Sequence, residues 1–236
     1  MHSIIKKIET RTARGLTIAS LLVACIFSAA AKDAQAQTRL GPAPPITYDN
    51  KYEVYGGLNY MNFMAGQGLP TRMSMGGGEI EGTYWLTGKW GLAADYRGEA
   101  GTTTPLPGAD IYGIHHPLVY MNMLLFGAQY RGPKNQHAAI DLHAYGGPSY
   151  GVFDSGTAGD GAPFLTGTAA QNAANIGLYS NHFAPFFALG GSLDMNRSKN
   201  WAVRLAPDLI LEHFGTGMRE FFAISGGVVY RFPLKK

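Results

Sequence analysis

Apolar and polar side chains alternate with a period of two along most of this chain. Segment 201–212 shows the pattern best, since most odd-numbered positions carry Trp, Val or Leu, whereas Arg204, Asp208 and Glu212 occupy even-numbered ones. The same alternation recurs in segments 90–99 and 222–232. Because successive side chains of a β-strand point to opposite faces, this period predicts strands with two chemically different faces.

Eight such segments predict eight strands, at 51–63, 72–86, 90–100, 118–131, 137–151, 182–195, 200–212 and 220–232. Every second connection is a short turn, at 87–89, 132–136 and 196–199. The intervening connections are longer, at 64–71, 101–117, 152–181 and 213–219. Short periplasmic turns and long external loops are typical of outer-membrane barrels. The predicted fold class is therefore all-β: a closed, up-and-down, antiparallel transmembrane barrel of eight strands over residues 51–232.

Large aromatic residues concentrate near the short turns and the end of the last strand. They are Tyr84, Trp90, Tyr130, Trp201, Tyr230 and Phe232. In an up-and-down array they would lie at one level, as expected of an aromatic girdle at a membrane interface. Aromatic residues are also good strand formers, but that preference alone does not explain their clustering at one end.

The polar faces of the strands carry most of the charges. We expect these residues to form a lumen charge network: Glu79, Glu81, Asp95, Arg97, Glu99, Arg131, Asp141, His143, Arg204, Asp208, Glu212 and Arg231, with Asp194 on the same face. A soluble sandwich would bury the apolar face instead, and alternation alone does not separate the two folds. An eight-stranded barrel is only just wide enough for its own side chains. Opposite charges should therefore pair and plug the lumen.

The four arginines of this network should each lie near one or more of seven carboxylates: Glu79, Glu81, Asp95, Glu99, Asp141, Asp208 and Glu212. For Arg204 in particular, we expect a partner in Asp208 or in a carboxylate of the third or eighth strand. Pro207 removes a backbone donor within the seventh strand. A bulge at this proline would turn Asp208 and Glu212 toward lipid, where an ionised group is expensive.

Residues 1–36 have the parts of a cleavable secretion signal. Its basic start contains Lys6, Lys7, Arg11 and Arg14. An apolar run over 15–31 follows, and Ala34-Gln35-Ala36 supplies the small residues that signal peptidase accepts. The run is short for a transmembrane span of ~20 residues. We expect export and removal of this segment, then a Pro-rich linker over 37–50, the barrel, and a short tail over 233–236.

The only cysteine, Cys25, lies inside this first segment. Leu22-Val23-Ala24-Cys25 also resembles the lipobox of bacterial lipoproteins, in which the cysteine is acylated. The apolar run continues past Cys25, and the second cleavage pattern lies downstream, so an ordinary signal residue is favoured. One cysteine allows neither an intramolecular disulfide nor a cysteine zinc site.

The distribution of charge argues against nucleic-acid binding. The formal net charge is +3, but residues 1–36 contain five Lys or Arg and two Asp or Glu, leaving fourteen of each sign in 37–236. Charged residues make up 15% of the chain, against about 25% in soluble domains. A neutral exported chain lacks the basic surface that nucleic-acid binding needs.

Several stretches resemble a known family. Residues 186–194, with 201–209 after a turn, resemble the second half of small bacterial outer-membrane β-barrel domain proteins, the eight-stranded members of the porin-like barrel family. Residues 224–232 resemble their closing strand and 125–131 their middle strand. The similarity extends over about 51–232. It implies a bacterial outer-membrane location, with membrane lipids and the barrel-assembly machinery as partners.

Candidate catalytic or metal-binding residues are few. Asp141, His143 and Ser149 share one face of one strand, which places Ser149 about 20 Å from His143 at ~3.3 Å per residue. A catalytic triad needs hydrogen-bond distances. The pair His115-His116 has no third ligand at a suitable spacing, and Gly76-Gly77-Gly78 precedes no helix that would cradle a phosphate. We expect no enzyme activity, no cofactor and no metal.

The sequence leaves three functions open. The first is a structural or surface-interaction barrel whose loops act outside the cell, with the 152–181 loop as a candidate ligand-binding segment. The second is a narrow porin-like conduit, and the third a lipid-directed hydrolase. The long loop lacks basic or aromatic clusters that would identify a ligand, and its Ala169–Asn175 stretch predicts at most one helical turn.

Overall fold

The computed structural model describes residues 46–67, 69, 71–102, 117–155, 168–180 and 182–233. These residues form β1 (Tyr52–Phe63), β2 (Met73–Trp85), β3 (Trp90–Thr102), β4 (Leu118–Lys134), β5 (Ala138–Ser155), α1 (Ala169–Asn175), β6 (Phe183–Asn196), β7 (Trp201–Glu212) and β8 (Arg219–Phe232). The expected signal segment, with Cys25, and most of the expected linker and tail lie outside the described residues.

The strands form one closed barrel. Each strand pairs antiparallel with its neighbours in sequence, and β8 pairs with β1. At the seam, Tyr52 lies opposite both Tyr84 of β2 and Phe232 of β8. The prediction of a closed, eight-stranded, all-antiparallel barrel is confirmed. The main difference is length, because β4 and β5 extend further than the sequence indicated, to Lys134 and Ser155.

The three short turns share one stabilising feature. Thr87, Asn135 and Ser198 each accept a hydrogen bond from the backbone N–H three residues ahead, at 2.9, 2.8 and 3.1 Å. A short polar side chain that bonds its own backbone in this way favours a tight turn. All three turns lie at one end of the barrel, so the asymmetry of loop lengths in the sequence is also present in the fold.

Burial alternates along the strands, with charges inside and apolar side chains outside. In β7, for example, Trp201 and Leu209 are exposed, whereas Arg204 and Asp208 are buried. The two faces of each strand are therefore those that the period-two pattern indicates. In this barrel, therefore, the charged face of the strands is turned toward the enclosed interior.

Pro207 interrupts one ladder without changing its register. Asp208 lies opposite Gly190 and Leu205 opposite Leu193, so β6 and β7 are aligned identically on both sides of the proline. The ladder between them is interrupted where proline offers no N–H. The bulge considered from the sequence does not form, and the charges of β7 stay inside.

At the other end, α1 lies in the long connection between β5 and β6. Thr168 and Gln171 form a capping box in which each side chain accepts a hydrogen bond from the backbone N–H of the other. Two orphan N–H groups are thereby satisfied, which is why seven residues become helical where the sequence predicted one turn at most. Among the described residues, no helix has the length and apolar character needed to cross a membrane.

Two glycines of β2 allow a test of how β2 and β3 are aligned. A Cβ at Gly77 would overlap the carbonyl oxygen of Gly98 on β3, whereas a Cβ at Gly82 meets no atom within 4 Å. We expect Gly77→Ala to lower the free energy of unfolding by about 1–3 kcal/mol and Gly82→Ala to change it by less than about 0.5 kcal/mol. Urea unfolding in detergent micelles measures both, and equal midpoints for the two variants would contradict the register of β2 and β3.

Candidate functional site: the barrel interior

The structure places every residue of the expected lumen network on an interior position. Each is buried: Glu79, Glu81, Asp95, Arg97, Glu99, Arg131, Asp141, His143, Arg204, Asp208, Glu212 and Arg231. They do not line the whole interior, however. Ion pairs occupy the half near the short turns, and apolar side chains fill the half near the long connections.

Arg131 of β4 bridges two carboxylates near the short turns. Its Nη2 atom donates to Glu53 of β1 at 2.9 Å and to Asp141 of β5 at 3.1 Å. The guanidinium carbon also lies 3.8 Å from the ring centroid of Trp85. Because β4 and β1 are not neighbours in the barrel, this side chain reaches across the lumen.

Arg204 of β7 makes a second bridge across the barrel. It forms a bidentate pair with Asp194 on the adjacent strand, at 2.7 and 3.1 Å. Its Nη1 atom donates to Glu81 of β2 on the far side at 2.8 Å. Bidentate, charge-assisted bonds are the strongest hydrogen bonds in proteins, so this arginine ties three strands together.

Tyr48 covers the network at the end of the barrel. Its ring centroid lies 5.2 and 5.1 Å from the guanidinium carbons of Arg131 and Arg231. Its hydroxyl donates to the carbonyl of Asn135 at 2.8 Å and accepts from Asn196 at 2.7 Å. Burial raises the pKa of Tyr48, so the hydroxyl remains a donor. The last residues of the expected linker therefore pack against the network.

A second group of charges lies deeper in the interior. Arg97 of β3 donates to Asp95 at 2.7 Å, and its Nη1 lies 2.6 Å from Asp208 of β7. The other oxygen of Asp208 lies 2.6 Å from His143 Nε2. Glu99 is buried two residues beyond Arg97 on β3. Asp208 thus joins an arginine and a histidine from different strands.

Glu81 is connected to the second group through Tyr145, whose ring stacks on that of His143 with centroids 4.6 Å apart. One carboxylate oxygen accepts from Arg204 and from Gln129, both at 2.8 Å, and the other accepts from the Tyr145 hydroxyl at 2.8 Å. These partners come from β7, β4 and β5, whereas Glu81 itself belongs to β2. A carboxylate with this many donors is held in one position by four strands.

The partners of two arginines differ in part from those expected. Arg204 pairs with Glu81, one of the carboxylates expected near the arginines, and with Asp194, which lies directly opposite it on β6. The narrower expectation of Asp208 or a carboxylate of β3 or β8 as its partner is wrong. Arg231 pairs with Asp194 and with Glu53, which the expected network omitted. Glu53 lies opposite Arg231 because β8 closes on β1. Its position between outward Tyr52 and Val54 was the signal in the sequence.

Glu212 lies apart from the arginines of the network. It is the last residue of β7, eight residues or roughly 26 Å along the strand from Arg204. It accepts hydrogen bonds from the Phe214 N–H at 2.5 Å and the Tyr179 hydroxyl at 3.2 Å. Burial and the nearby carboxylate raise the pKa of Tyr179. Glu212 therefore holds the connection between β7 and β8 over the barrel end.

Apolar side chains fill the half of the interior near the long connections. Phe153 contacts Phe63, Tyr179 and Phe214 with ring centroids 6.2, 5.3 and 5.0 Å apart. Around them pack methionines and further apolar residues: Met61, Met73, Met75, Met121, Met123, Phe186, Ile210 and Phe221. This apolar cluster was not predicted from the sequence. Segment 118–126 is largely apolar on both faces, so alternation does not say which face is enclosed.

The aromatic residues near the short turns form contacts at one level. Trp90 lies 4.9 Å from Tyr130, Trp201 lies 4.8 Å from Tyr230, and Tyr230 lies 4.9 Å from Phe232. Tyr84 pairs at 5.1 Å with Tyr52, which the expected girdle omitted because no short turn precedes β1. Most of these rings are exposed, and Tyr130 and Tyr230 are half-buried.

The candidate catalytic residues are not arranged as a triad. His143 pairs with Asp208 rather than Asp141, and Ser149 donates to the backbone carbonyl of Ala184 at 2.9 Å. Among the described residues, Glu53, Asp141 and Asp194 bring carboxylate oxygens within 4.8 Å of one another. Guanidinium groups already occupy the space between them, so we assign no metal there. His115 and His116 lie outside the described residues.

Several solved structures are similar to this chain. The attachment invasion locus protein Ail of Yersinia pestis is 11% identical, with a TM-score of 0.44 over 78% of this chain and 99% of Ail. Neisserial surface protein A is 12% identical, with a TM-score of 0.47 over 77% and 97%. OprG of Pseudomonas aeruginosa is 11% identical, with a TM-score of 0.47 over 78% and 96%. No protein-family model and no curated protein sequence matches this chain.

Removing Arg204 tests the ion-pair network. Arg204→Leu leaves buried Glu81 without its guanidinium partner and leaves Asp194 with Arg231 alone, which should lower the free energy of unfolding by about 3–5 kcal/mol. Lys89→Leu, in an exposed short turn, is the control and should change it by less than about 0.5 kcal/mol. Urea unfolding of the folded barrel in micelles measures both values. Similar losses for the two variants would show that Arg204 is not paired inside.

Proposed function

We propose that this protein is an integral β-barrel of the bacterial outer membrane, exported by its N-terminal segment. The observation that carries the proposal is the distribution of side chains on the strands. Buried charges face the interior, whereas mid-strand outward positions hold apolar, small or uncharged polar residues. This is the reverse of a water-soluble barrel, and it matches a sheet whose outer face contacts lipid.

The size of the apolar outer surface supports a membrane location. Among the described residues, twenty-six large hydrophobic side chains are exposed, including Leu58 at 77% and Phe183 at 71%. Soluble monomers rarely expose contiguous apolar patches above a few hundred Å². The outward polar residue Asn122 accepts a hydrogen bond from the Tyr96 hydroxyl at 2.7 Å, so its side chain is partly satisfied without water.

The packed interior supports a structural or surface-interaction role rather than transport. Charged side chains meet across the lumen near the short turns, and aromatic and methionine side chains meet near the long connections. In this proposal the barrel anchors its external loops, including 152–181, whose ligand would lie outside the cell. Membrane lipids and the barrel-assembly machinery are the partners, and the role is not enzymatic.

Cell fractionation with heat-modifiable gel mobility tests the membrane location. The exported chain should sediment with outer membranes, and the unheated sample should migrate differently from the boiled one, because a closed barrel resists detergent until heated. Recovery of the chain in the soluble periplasmic fraction would contradict the proposal. A soluble barrel would then have to keep its apolar outer face covered by another protein.

Planar-bilayer conductance separates a plugged barrel from a narrow conduit. We expect no stable open channel from the wild-type protein, since ion pairs and an aromatic contact join strands across the lumen at two levels. Incorporation should be verified by recovering the barrel from the same membranes. Reproducible unitary conductance steps from the wild type would favour the porin-like alternative.

A further inference from the structure

The outer face of β1, β2 and β3 contains a shallow apolar groove of about 600 Å³. The residues that line it include Gly82, Ala94, Leu92 and Phe126. Tyr52 lies at the level of the short turns, where Trp85 donates its backbone N–H to the carbonyl of Lys51. The groove therefore extends along the lipid-facing surface and reaches the barrel end that carries the short turns.

The rim at that end is basic. The exposed charged residues described there are Lys51, Lys89, Lys134, Arg197 and Lys199, against a single acid, Asp49. Lys51 adjoins Tyr52 at the edge of the groove, and Lys89 belongs to the turn between β2 and β3. Lysines at the end of a membrane-spanning element extend their ammonium groups to the headgroup layer.

We propose that this groove binds an acyl chain of an anionic phospholipid whose phosphate headgroup lies at the basic rim. The apolar groove fits a hydrocarbon chain, and the lysines complement the negative headgroup. This site rests on the proposed membrane location and adds to it the class of lipid that is bound. Each lysine close to anionic headgroups strengthens binding roughly fivefold, so Lys51 and Lys89 favour an anionic lipid over a zwitterionic one.

Tryptophan quenching by brominated lipids tests this site in the full-length folded protein. The exposed indoles are Trp90, two residues before Leu92 of the groove, and Trp201. The protein is reconstituted in phosphatidylcholine vesicles containing a fixed minor fraction of brominated phosphatidylglycerol or brominated phosphatidylcholine. We expect an apparent affinity at least about fivefold higher for phosphatidylglycerol, which is the contribution of one lysine.

Three variants test the groove and the basic rim separately. Gly82→Leu adds a side chain in the groove, where a Cβ meets no atom within 4 Å. The heat-modifiable gel shift checks that the variant barrel is folded. Gly56→Leu is the matched control, because Gly56 has the same free space but does not line the groove. Lys51→Gln combined with Lys89→Gln removes the charges. Gly82→Leu and the double variant should lose the preference, whereas Gly56→Leu should keep it.

The outcomes separate the site from the membrane proposal. Quenching by neither lipid would overturn the membrane location itself. Equal quenching by both lipids in the wild type would overturn the site alone. Inorganic phosphate can be added as a competitor, with chloride of equal ionic strength as the control. If phosphate alone abolishes the preference for phosphatidylglycerol, the rim binds free phosphate without an acyl chain. Cross-linked dimers that disappear in Gly82→Leu, with lipid preference unchanged, would assign the groove to a second copy.

Discussion

The interior of an eight-stranded barrel has room for little more than its own side chains, and this narrow space determines how the inward charges must pair. A buried charge without a partner is costly, so each inward arginine needs a carboxylate within reach. The strand register provides one in every case. Arg97, Arg131, Arg204 and Arg231 lie directly opposite Glu79, Asp141, Asp194 and Glu53 on adjacent strands. A slip of one residue would break these pairs and turn the charges toward lipid.

The same constraint divides the interior into two halves that support each other. Near the short turns, Arg204 and Arg131 link strands on opposite sides of the barrel through carboxylates. Near the long connections, Phe153 and its neighbours link strands by packing alone. Each interior arginine of the network thus has a carboxylate partner within the part of the chain that the structure describes.

The fold and most of the interior charges could be predicted from the sequence, because both follow from one period-two pattern and from alternating loop lengths. The partners within the network could not. Arg231 meets Glu53 only because the last strand closes on the first, and alternation within one strand does not contain that information. The apolar half was also hidden, since outward Tyr120 and Leu124 flank the segment of inward Met121 and Met123, so both faces there are largely apolar. Tyr48 was hidden because a single aromatic residue in a Pro-rich segment carries no periodic signal.

We propose that the outer face of the barrel contacts hydrocarbon while the charged face is enclosed. Spin labels at Leu58 and Leu142, two exposed outward positions on different strands, test it directly in lipid vesicles. In a Cys25→Ser background, each label should collide readily with dissolved oxygen, which concentrates in hydrocarbon, and little with a water-soluble nickel chelate. Collisions dominated by the nickel chelate at both positions would place the apolar face in water and contradict the account.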